Sequence, residues 1–172
     1  FLFSCESIKE VKEASYNTVP LPSEISKTNS DAFKLNSSTK IVFPEGNDKM
    51  KRNAEFLSEY LMMSVGVKPD ITSSIHDNNI ILLSLDLDND NEEAYRINVN
   101  ENAISISGSS EAGVFYGIQT LRKATPVGKY AVSYPAVTIN DEPRFGYRGT
   151  MLDIARHFQS VEFVKKFIAM IA

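Results

Sequence analysis

Cysteine, histidine and basic runs are scarce in this sequence, and each scarcity excludes a class of protein. The chain has one cysteine, Cys5, so it forms no internal disulfide. With that single thiol and two histidines far apart, His76 and His157, a structural zinc site is excluded. No basic run exceeds two residues and the net charge is −4, which argues against a nucleic-acid partner. We therefore expect no metal ion, no cofactor and no nucleic acid.

Long apolar runs are also missing. No stretch after the first few residues reaches the ~20 apolar residues that a membrane span needs. Of the 172 residues, 42% are hydrophobic and 23% are charged, a composition typical of globular proteins. This length allows one ordinary domain, or one domain and a piece of another.

The N-terminus has the features of a processed leader. The run Phe1-Leu2-Phe3-Ser4-Cys5 does not start with Met and resembles an apolar signal segment that ends in the lipobox of bacterial lipoproteins. Lipidation of Cys5 would anchor the protein to the cell envelope of a bacterium without a membrane-spanning helix. The alternative is an incidental cysteine in a disordered tail. We predict that residues 1–18 are a signal-peptide remnant and a tether, which is polar and without periodicity from Glu6 to Thr18.

The middle of the chain alternates between strand and helix patterns. Apolar residues spaced by three and four predict a helix over 48–65, capped by Asn47 or Asp48 and ended by Gly66. Ser110 is predicted to be the N-cap of a second helix, with Glu111 in its first turn. Strands are predicted at Ala32–Leu35, Lys40–Phe43, Ile80–Leu83, Tyr95–Val99, Ala103–Ser107 and Ala131–Ile139, the last an edge strand because of Pro135. This order predicts an α+β domain over 19–142, with two helices on one face of a mixed sheet.

Two glycines in the second helix indicate a close contact. Gly113 and Gly117 lie four residues apart on one side of it, and each costs about 1 kcal/mol of helix propensity relative to Ala. We interpret them as the point where the helix backbone approaches the sheet.

The segment Pro143–His157, PRFGYRGTMLDIARH, concentrates ionisable residues around a short apolar run. Thr150–Ile154 is predicted to be a strand, and a helix is predicted to follow Ser160. One strand and one helix form a single β/α unit, which cannot bury its own apolar faces. We therefore interpret 143–172 as the start of a further, incomplete domain.

Two segments resemble glycoside hydrolase family 20, the β-N-acetylhexosaminidases. Ser110–Leu121, SEAGVFYGIQTL, is similar to the last helix of that family's small α+β domain. Pro143–Phe158, PRFGYRGTMLDIARHF, is similar to the beginning of its catalytic (β/α)8 barrel. The resemblance implies that 143–172 holds the first β/α unit of a truncated barrel.

The activity that this resemblance implies is removal of terminal N-acetylglucosamine or N-acetylgalactosamine from glycans, with retention of configuration. In the family the 2-acetamido group of the substrate acts as the nucleophile, an exception to the scheme with two carboxylates. An adjacent Asp-Glu pair assists it, and the resemblance puts that pair beyond Ala172. Asp141-Glu142 precedes the barrel and is assigned to the linker, so no catalytic residue is expected in this chain and we expect it to be inactive alone.

One substrate-binding residue carries over from the family. Arg148 matches the arginine that hydrogen-bonds the hydroxyls of the terminal sugar, a task suited to a guanidinium fork. Without the resemblance, an ion pair at the bottom of a barrel would be preferred for it. Asp153, Arg156 and His157 are interpreted either as a network that supports this site or as a structural cluster of ion pairs.

The sequence is compatible with two other hypotheses. The chain is alternatively a complete carbohydrate-binding or interaction module without enzymatic activity. It could also self-associate through the orphan strand and helix of 143–172, since unpaired edges and apolar stripes favour pairing.

Overall fold

A computed structural model describes residues 10–74 and 78–171 of the chain. The chain divides into two compact units, Phe1–Glu142 and Pro143–Ala172. The described elements of unit 1 are β1 (Val11–Glu13), β2 (Glu24–Lys27), β3 (Phe33–Leu35), β4 (Lys40–Val42), α1 (Asp48–Val65), β5 (Asp70–Thr72), β6 (Ile80–Ser84), β7 (Tyr95–Val99), β8 (Ala103–Gly108), α2 (Glu111–Ala124), β9 (Ala131–Tyr134) and β10 (Val137–Asp141). Unit 2 contains α3 (Val161–Ile171).

The predicted helices of unit 1 form where the sequence placed their caps. The Asn47 side chain accepts hydrogen bonds from the backbone N–H groups of Lys49 and Met50, at 3.1 and 3.0 Å. Gly66 ends α1 in the left-handed conformation, with φ of 76°, which a residue without a side chain adopts at little cost. Ser110 caps α2 in the same manner as Asn47 caps α1. Both helix predictions are confirmed.

The strands form two sheets rather than one. The larger sheet has the order β2-β10-β7-β8-β6-β4-β5, antiparallel from β2 to β8 and parallel from β8 to β5. The smaller sheet has the order β1-β9-β3. The fold class is α+β with a mixed sheet, as predicted. The continuous apolar run of β6 forms a central strand with parallel neighbours on both sides, a position in which both faces of a strand are covered.

Both helices cover one face of the larger sheet. Helix α1 packs against β4 and β5, α2 packs against β7 and β8, and the two helices contact each other. The residues of strand β7 alternate between the covered face and the open face. Tyr95, Ile97 and Val99 are buried in the core, whereas Arg96 and Asn98 are exposed on the opposite face. That opposite face is polar and cross-linked by side chains, such as Thr138 Oγ1, which donates to Asn98 Oδ1 at 2.7 Å.

The glycine interpretation is confirmed by the packing of α2. A Cβ atom on Gly113 would lie 2.2 Å from the carbonyl oxygen of Ala94, and one on Gly117 would lie 2.5 Å from Cγ2 of Ile106. Helix α2 therefore approaches the sheet more closely than any side chain at these two positions would allow.

The prediction of one edge strand over Ala131–Ile139 is wrong. The chain breaks at Pro135-Ala136 into β9 and β10, which belong to different sheets. Each lies between two partners: β9 pairs with β1 and β3, and β10 pairs with β2 and β7. Pro135 does not force an edge position because it lies between the two strands, where no ladder hydrogen bond is required.

The prediction of a tether over residues 1–18 is wrong for its described part. Val11–Glu13 is β1, which pairs in parallel with β9, and Ala14 is 5% exposed. A three-residue strand is held by backbone hydrogen bonds and therefore needs no apolar alternation in its sequence. For the same reason, β2 and β5 gave no recognisable strand pattern.

The predicted strand Thr150–Ile154 is also not formed. These residues are irregular, and Leu152 is the one residue of the five that is partly buried. A strand requires a neighbour to accept and donate its backbone hydrogen bonds, and the described part of unit 2 offers one helix and no other strand. Helix α3 does form after Ser160, whose Oγ accepts from the Phe163 N–H at 3.2 Å, and none of its described residues is buried.

Candidate functional site

The predicted sugar-binding residue, Arg148, lies in the irregular segment that opens unit 2. Its side chain is exposed, and Nη1 donates to the carbonyl oxygen of Phe145 at 2.7 Å. This bond links the side chain of Arg148 to the backbone three residues earlier. A role of Arg148 in sugar binding stays a prediction.

Asp153 and Arg156 are brought together by a short local turn. Asp153 Oδ1 accepts from the Ala155 N–H at 2.9 Å, and Oδ2 accepts from Arg156 Nε at 2.6 Å and pairs with Nη2. The Arg156 guanidinium holds the pKa of the Asp153 carboxyl below its ordinary value. The pair is three residues apart and solvent-exposed, so its contribution to stability is small.

His157 does not join this pair. It is exposed, and within the described residues it forms no hydrogen bond or ion pair with Asp153 or Arg156. The structure thus unites two of the three residues predicted to support Arg148 and leaves the third apart. Whether they support sugar binding stays a prediction.

A more extensive polar cluster lies at the end of β10 and was not anticipated. Asp141 Oδ1 accepts from the backbone N–H and the hydroxyl of Ser23, at 3.0 and 2.8 Å. Asp141 Oδ2 accepts from the Tyr95 hydroxyl at 2.8 Å, and that hydroxyl lies 2.6 Å from Thr120 Oγ1 on α2. We refer to Ser23, Tyr95, Thr120 and Asp141 as the Asp141 cluster.

The electrostatics of the Asp141 cluster follow from burial. Desolvation raises the pKa of the Tyr95 hydroxyl well above its ordinary value, and its hydrogen bond to Asp141 and the charge of that carboxylate act in the same direction. Tyr95 therefore stays protonated as a donor to Asp141. The assignment of Asp141 to the linker is wrong, because it is the last residue of β10. No local pattern reveals the cluster, since Ser23 and Asp141 are 118 positions apart.

Other kinds of site find no support in the described residues. Within 10–74 and 78–171, no group of three or more His, Cys, Asp or Glu side chains is arranged to hold a metal ion. No helix in the described part of the chain combines the length and the apolar character needed to cross a membrane. Cys5, the predicted lipidation site, and His76 lie outside the described residues.

Comparison with known families assigns both units. The family model for glycosyl hydrolase family 20, domain 2, matches residues 15–142. The model for the glycosyl hydrolase family 20 catalytic domain matches residues 145–172. The two matches follow each other in the order that the sequence predicted.

Individual relatives agree with this assignment. A beta-hexosaminidase of Porphyromonas gingivalis is 33% identical over 185 residues, which cover 99% of this chain and 23% of that protein. A beta-hexosaminidase of Vibrio vulnificus is 45% identical over 69 residues, which cover 40% of this chain and 8% of that protein. The chain therefore spans less than a quarter of the length of these relatives.

Solved structures resemble the chain over most of its length. The GH20 beta-N-acetylhexosaminidase from Streptomyces coelicolor A3(2) superposes with a TM-score of 0.77 and 27% identity, covering 89% of this chain and 32% of that one. A GH20 exo beta-N-acetylglucosaminidase from Vibrio harveyi superposes with a TM-score of 0.72 and 28% identity, covering 95% and 24%. Because the domain 2 model alone covers residues 15–142, most of the sequence, the chain belongs to glycosyl hydrolase family 20.

Proposed function

We propose that the chain is the N-terminal part of a retaining exo-β-N-acetylhexosaminidase, which removes terminal N-acetylhexosamine from glycans. The observation that carries this proposal is the consecutive match of both family 20 domains, over 15–142 and 145–172. The Porphyromonas gingivalis relative, similar over 99% of the chain, is named a beta-hexosaminidase. A mutant Streptomyces plicatus beta-hexosaminidase, 25% identical to this chain with a TM-score of 0.78, was solved in complex with its product GlcNAc.

The residues of this chain contribute binding rather than bond cleavage. Arg148 hydrogen-bonds hydroxyls of the terminal sugar, and the acetamido-assisting Asp and the acid/base Glu lie beyond Ala172. The fixed geometry of the guanidinium fork suits two neighbouring hydroxyls, which a lysine ammonium would address less specifically. The 172-residue chain alone is therefore inactive.

Hydrolysis of a chromogenic N-acetylglucosaminide tests the proposal. We expect turnover by the full-length protein and none by the 172-residue chain. In the full-length protein, Arg148→Ala should raise KM by roughly ten- to a hundredfold, since hydrogen bonds to a charged group contribute ~1.5–3 kcal/mol. The exposed Lys165→Ala serves as the matched control and should not change KM. Absence of turnover by the full-length protein on both glucosaminide and galactosaminide substrates would sink the proposal.

We further propose that Cys5 carries a lipid anchor that holds the protein at the bacterial cell envelope. The support is the Leu-Phe-Ser-Cys pattern at positions 2–5. Expression of the precursor with an alkyne-labelled fatty acid should label the wild-type protein, and Cys5→Ala should abolish both the label and its recovery in the membrane fraction. An unlabelled wild-type protein would exclude the anchor.

A second candidate function, a self-contained glycan-binding module, draws on the core of unit 1. All residues of the hydrophobic core cluster lie between Ala14 and Ile139. Retention of the 172-residue chain on an N-acetylglucosamine resin, unchanged by Arg148→Ala, would favour this module over the enzyme fragment.

Self-association through α3 is tested by light scattering on the same 172-residue chain. A monomeric mass would contradict it.

A further inference from the structure

A groove of about 390 Å³ lies at one end of the polar face of the larger sheet, and we refer to it as the Arg96 groove. It is lined by Arg96, near the beginning of β7, and by Asn140, near the end of β10. Glu24, the first residue of β2, and Leu87 and Asn89, in the connection between β6 and β7, also line it. All of these residues belong to unit 1. The volume of the groove is within the range of sites that bind small ligands.

Three planar side chains of the groove form a row across three strands. Arg96 Nε donates to Asn140 Oδ1 at 2.7 Å, and Asn140 Nδ2 donates to Glu24 Oε2 at 3.0 Å. The register of the sheet pairs Asn140 directly with both of the other residues. These bonds are the hydrogen bonds that the Arg96 and Asn140 side chains form among the described residues. The guanidinium and the amide therefore both keep N–H donors for a ligand.

The lining combines apolar surface with planar polar groups, which are the two features that a sugar ring requires. Leu87 contributes apolar surface, and Asn89 and Asn140 contribute amides. A pyranose has an apolar C–H face and hydroxyl groups that both donate and accept hydrogen bonds. Arg96 is the one cationic side chain of the described lining, which also holds the carboxylates of Glu24, Asp88, Asp141 and Glu142. This excess of negative charge disfavours acidic sugars.

We propose that the Arg96 groove binds a neutral oligosaccharide, with Arg96 and Asn140 as the residues that hydrogen-bond its hydroxyls. The row from Arg96 to Glu24 spans two strand spacings, roughly 10 Å, a length that suits two linked pyranose rings better than one. The proposal goes beyond hydrolysis. It rests on the second candidate function, glycan binding by unit 1, and gives that binding a location and a ligand class. It requires no residue of unit 2.

A nuclear magnetic resonance titration of the 172-residue chain tests the proposal without any variant. The probe is a β-1,4-linked trimer of N-acetylglucosamine, added at millimolar concentrations to the ¹⁵N-labelled chain. We expect saturable shifts of the backbone amides of Arg96 and Asn140 and of the Asn140 side-chain NH₂ group. A trimer of galacturonic acid, which carries carboxylates, should shift these signals far less. The absence of shifts at the groove with the neutral trimer would overturn the proposal, and so would equal shifts with both trimers.

Variants of Arg96 test its role in the groove. Arg96→Ala should raise the Kd for the neutral trimer roughly tenfold or more, because hydrogen bonds from a charged group are lost. Arg96→Lys keeps the charge but not the planar fork, so it should restore only part of the affinity. Asn98→Ala is the matched control: it also removes one side-chain bond between β7 and β10, the 2.7 Å bond from Thr138, but it lies outside the groove. If Asn98→Ala weakens binding as much as Arg96→Ala does, the role of the groove is overturned.

The outcomes for the groove and for the proposed functions are distinguishable. An active full-length hexosaminidase, combined with a 172-residue chain whose groove signals do not shift, would overturn the groove alone. Groove shifts in the 172-residue chain, combined with a full-length protein without turnover, would support the groove and refute the enzyme. Retention of the chain on the N-acetylglucosamine resin that is unaffected by Arg96→Ala would leave the glycan-binding module standing and overturn its location in the groove. Arg148→Ala should leave the groove shifts unchanged, and their loss in that variant would contradict the proposal.

Discussion

Gly113 occupies a position of unit 1 that has no room for a side chain. A Cβ atom there would lie 2.2 Å from the Ala94 carbonyl oxygen, which is backbone and cannot rotate away. We expect Gly113→Ala to destabilise the chain by about 1–3 kcal/mol, because the overpacking outweighs the roughly 1 kcal/mol gained in helix propensity. Urea unfolding followed by circular dichroism measures this change.

Gly117→Ala is the matched comparison for that variant. Its added Cβ would meet Cγ2 of Ile106, the end of a side chain, and the ring of Tyr95. Side chains yield more easily than a carbonyl, so Gly117→Ala should cost less than Gly113→Ala. The reverse order would contradict the close backbone approach as the reason for the glycine at 113.

Buried tyrosines make the stability of unit 1 sensitive to alkali. Desolvation raises the pKa of Tyr16, Tyr95 and Tyr134 well above the ordinary value. The folded chain keeps these protons up to a higher pH than the unfolded chain does. The contribution of the tyrosines to the free energy of unfolding is therefore complete below the unfolded pKa of about 10, and it is lost as the pH rises from there toward the folded pKa values. Each group changes the free energy of unfolding by at most about 1.4 kcal/mol per pH unit.

Urea midpoints measured between about pH 9 and about pH 11 test this dependence. We expect them to fall with pH, and Tyr16→Phe should make the decline shallower. Tyr147→Phe is the control, since that side chain is 92% exposed, and it should leave the slope as it is. A flat profile across this range would contradict the role of the buried phenols.

Residue-level features were predictable where their cause is local. The two glycines on one side of a helix sufficed to predict a close approach to the sheet. The Asp141 cluster was not predictable, because its members Ser23 and Asp141 are joined by the fold and not by any spacing in the sequence. Arg148 was singled out by family resemblance, and its exposed position alone would not have indicated a ligand.

At the scale of elements, the N-cap of α2 depends on one side chain, that of Ser110. Ser110 Oγ accepts from the backbone N–H groups of Ala112 and Gly113, at 3.0 and 3.4 Å, and donates to the Glu92 carbonyl oxygen at 2.5 Å. We expect Ser110→Ala to lower the free energy of unfolding by about 1–2 kcal/mol, because helix N–H groups lose their acceptor.

The control for the cap is Ser110→Thr, which keeps a hydroxyl at the same position and should retain most of the stability. Thermal and urea unfolding of the three proteins measure the difference. An unchanged midpoint in Ser110→Ala would show that water replaces the hydroxyl at no cost and would contradict the prediction.

Elements differ in how well their sequence predicts them. Helices α1 and α2 carry their own caps and apolar stripes, so both were predicted with their first residues. Strands β1, β2 and β5 have three or four residues and owe their existence to partners, so they were missed. The division of 131–141 into two strands was missed because a proline within an apolar run indicates an interruption but not which sheet each half will join.

At the scale of the whole molecule, the core belongs to unit 1. The cluster of buried side chains lies between Ala14 and Ile139, and α3 has no buried residue among those described. A chain ending at Glu142 should therefore unfold cooperatively, with the same urea midpoint as the 172-residue chain. Unit 2 should add only the circular dichroism signal of α3. That signal should be weak, because an isolated helix of 11 residues is marginally stable in water.

Far-ultraviolet circular dichroism of the two chains measures both urea midpoints, and the difference between their spectra gives the signal of α3. The 172-residue chain with Phe167→Ala in α3 is the control, and it should match the wild-type midpoint. A midpoint clearly lower for the shortened chain would mean that unit 1 depends on residues after 142. The α+β class was predictable at this scale from element order, whereas the number of sheets was not.

Residues 131–141 contribute one strand to each sheet, and this has a consequence for folding during synthesis. Among the described strands, β1 and β3, near the N-terminus, pair only with β9, and β2 pairs only with β10. As the ribosome releases the chain from its N-terminus, these three segments remain without partners until almost all of unit 1 has emerged. The helices and the parallel β4-β6-β8 ladder can assemble earlier, because their contacts lie within one continuous stretch. Nascent chains stalled with residues up to about 130 outside the ribosome should therefore be cleaved by protease near their N-terminal ends. Once residues 131–141 have also emerged, β1, β2 and β3 should become resistant to protease together.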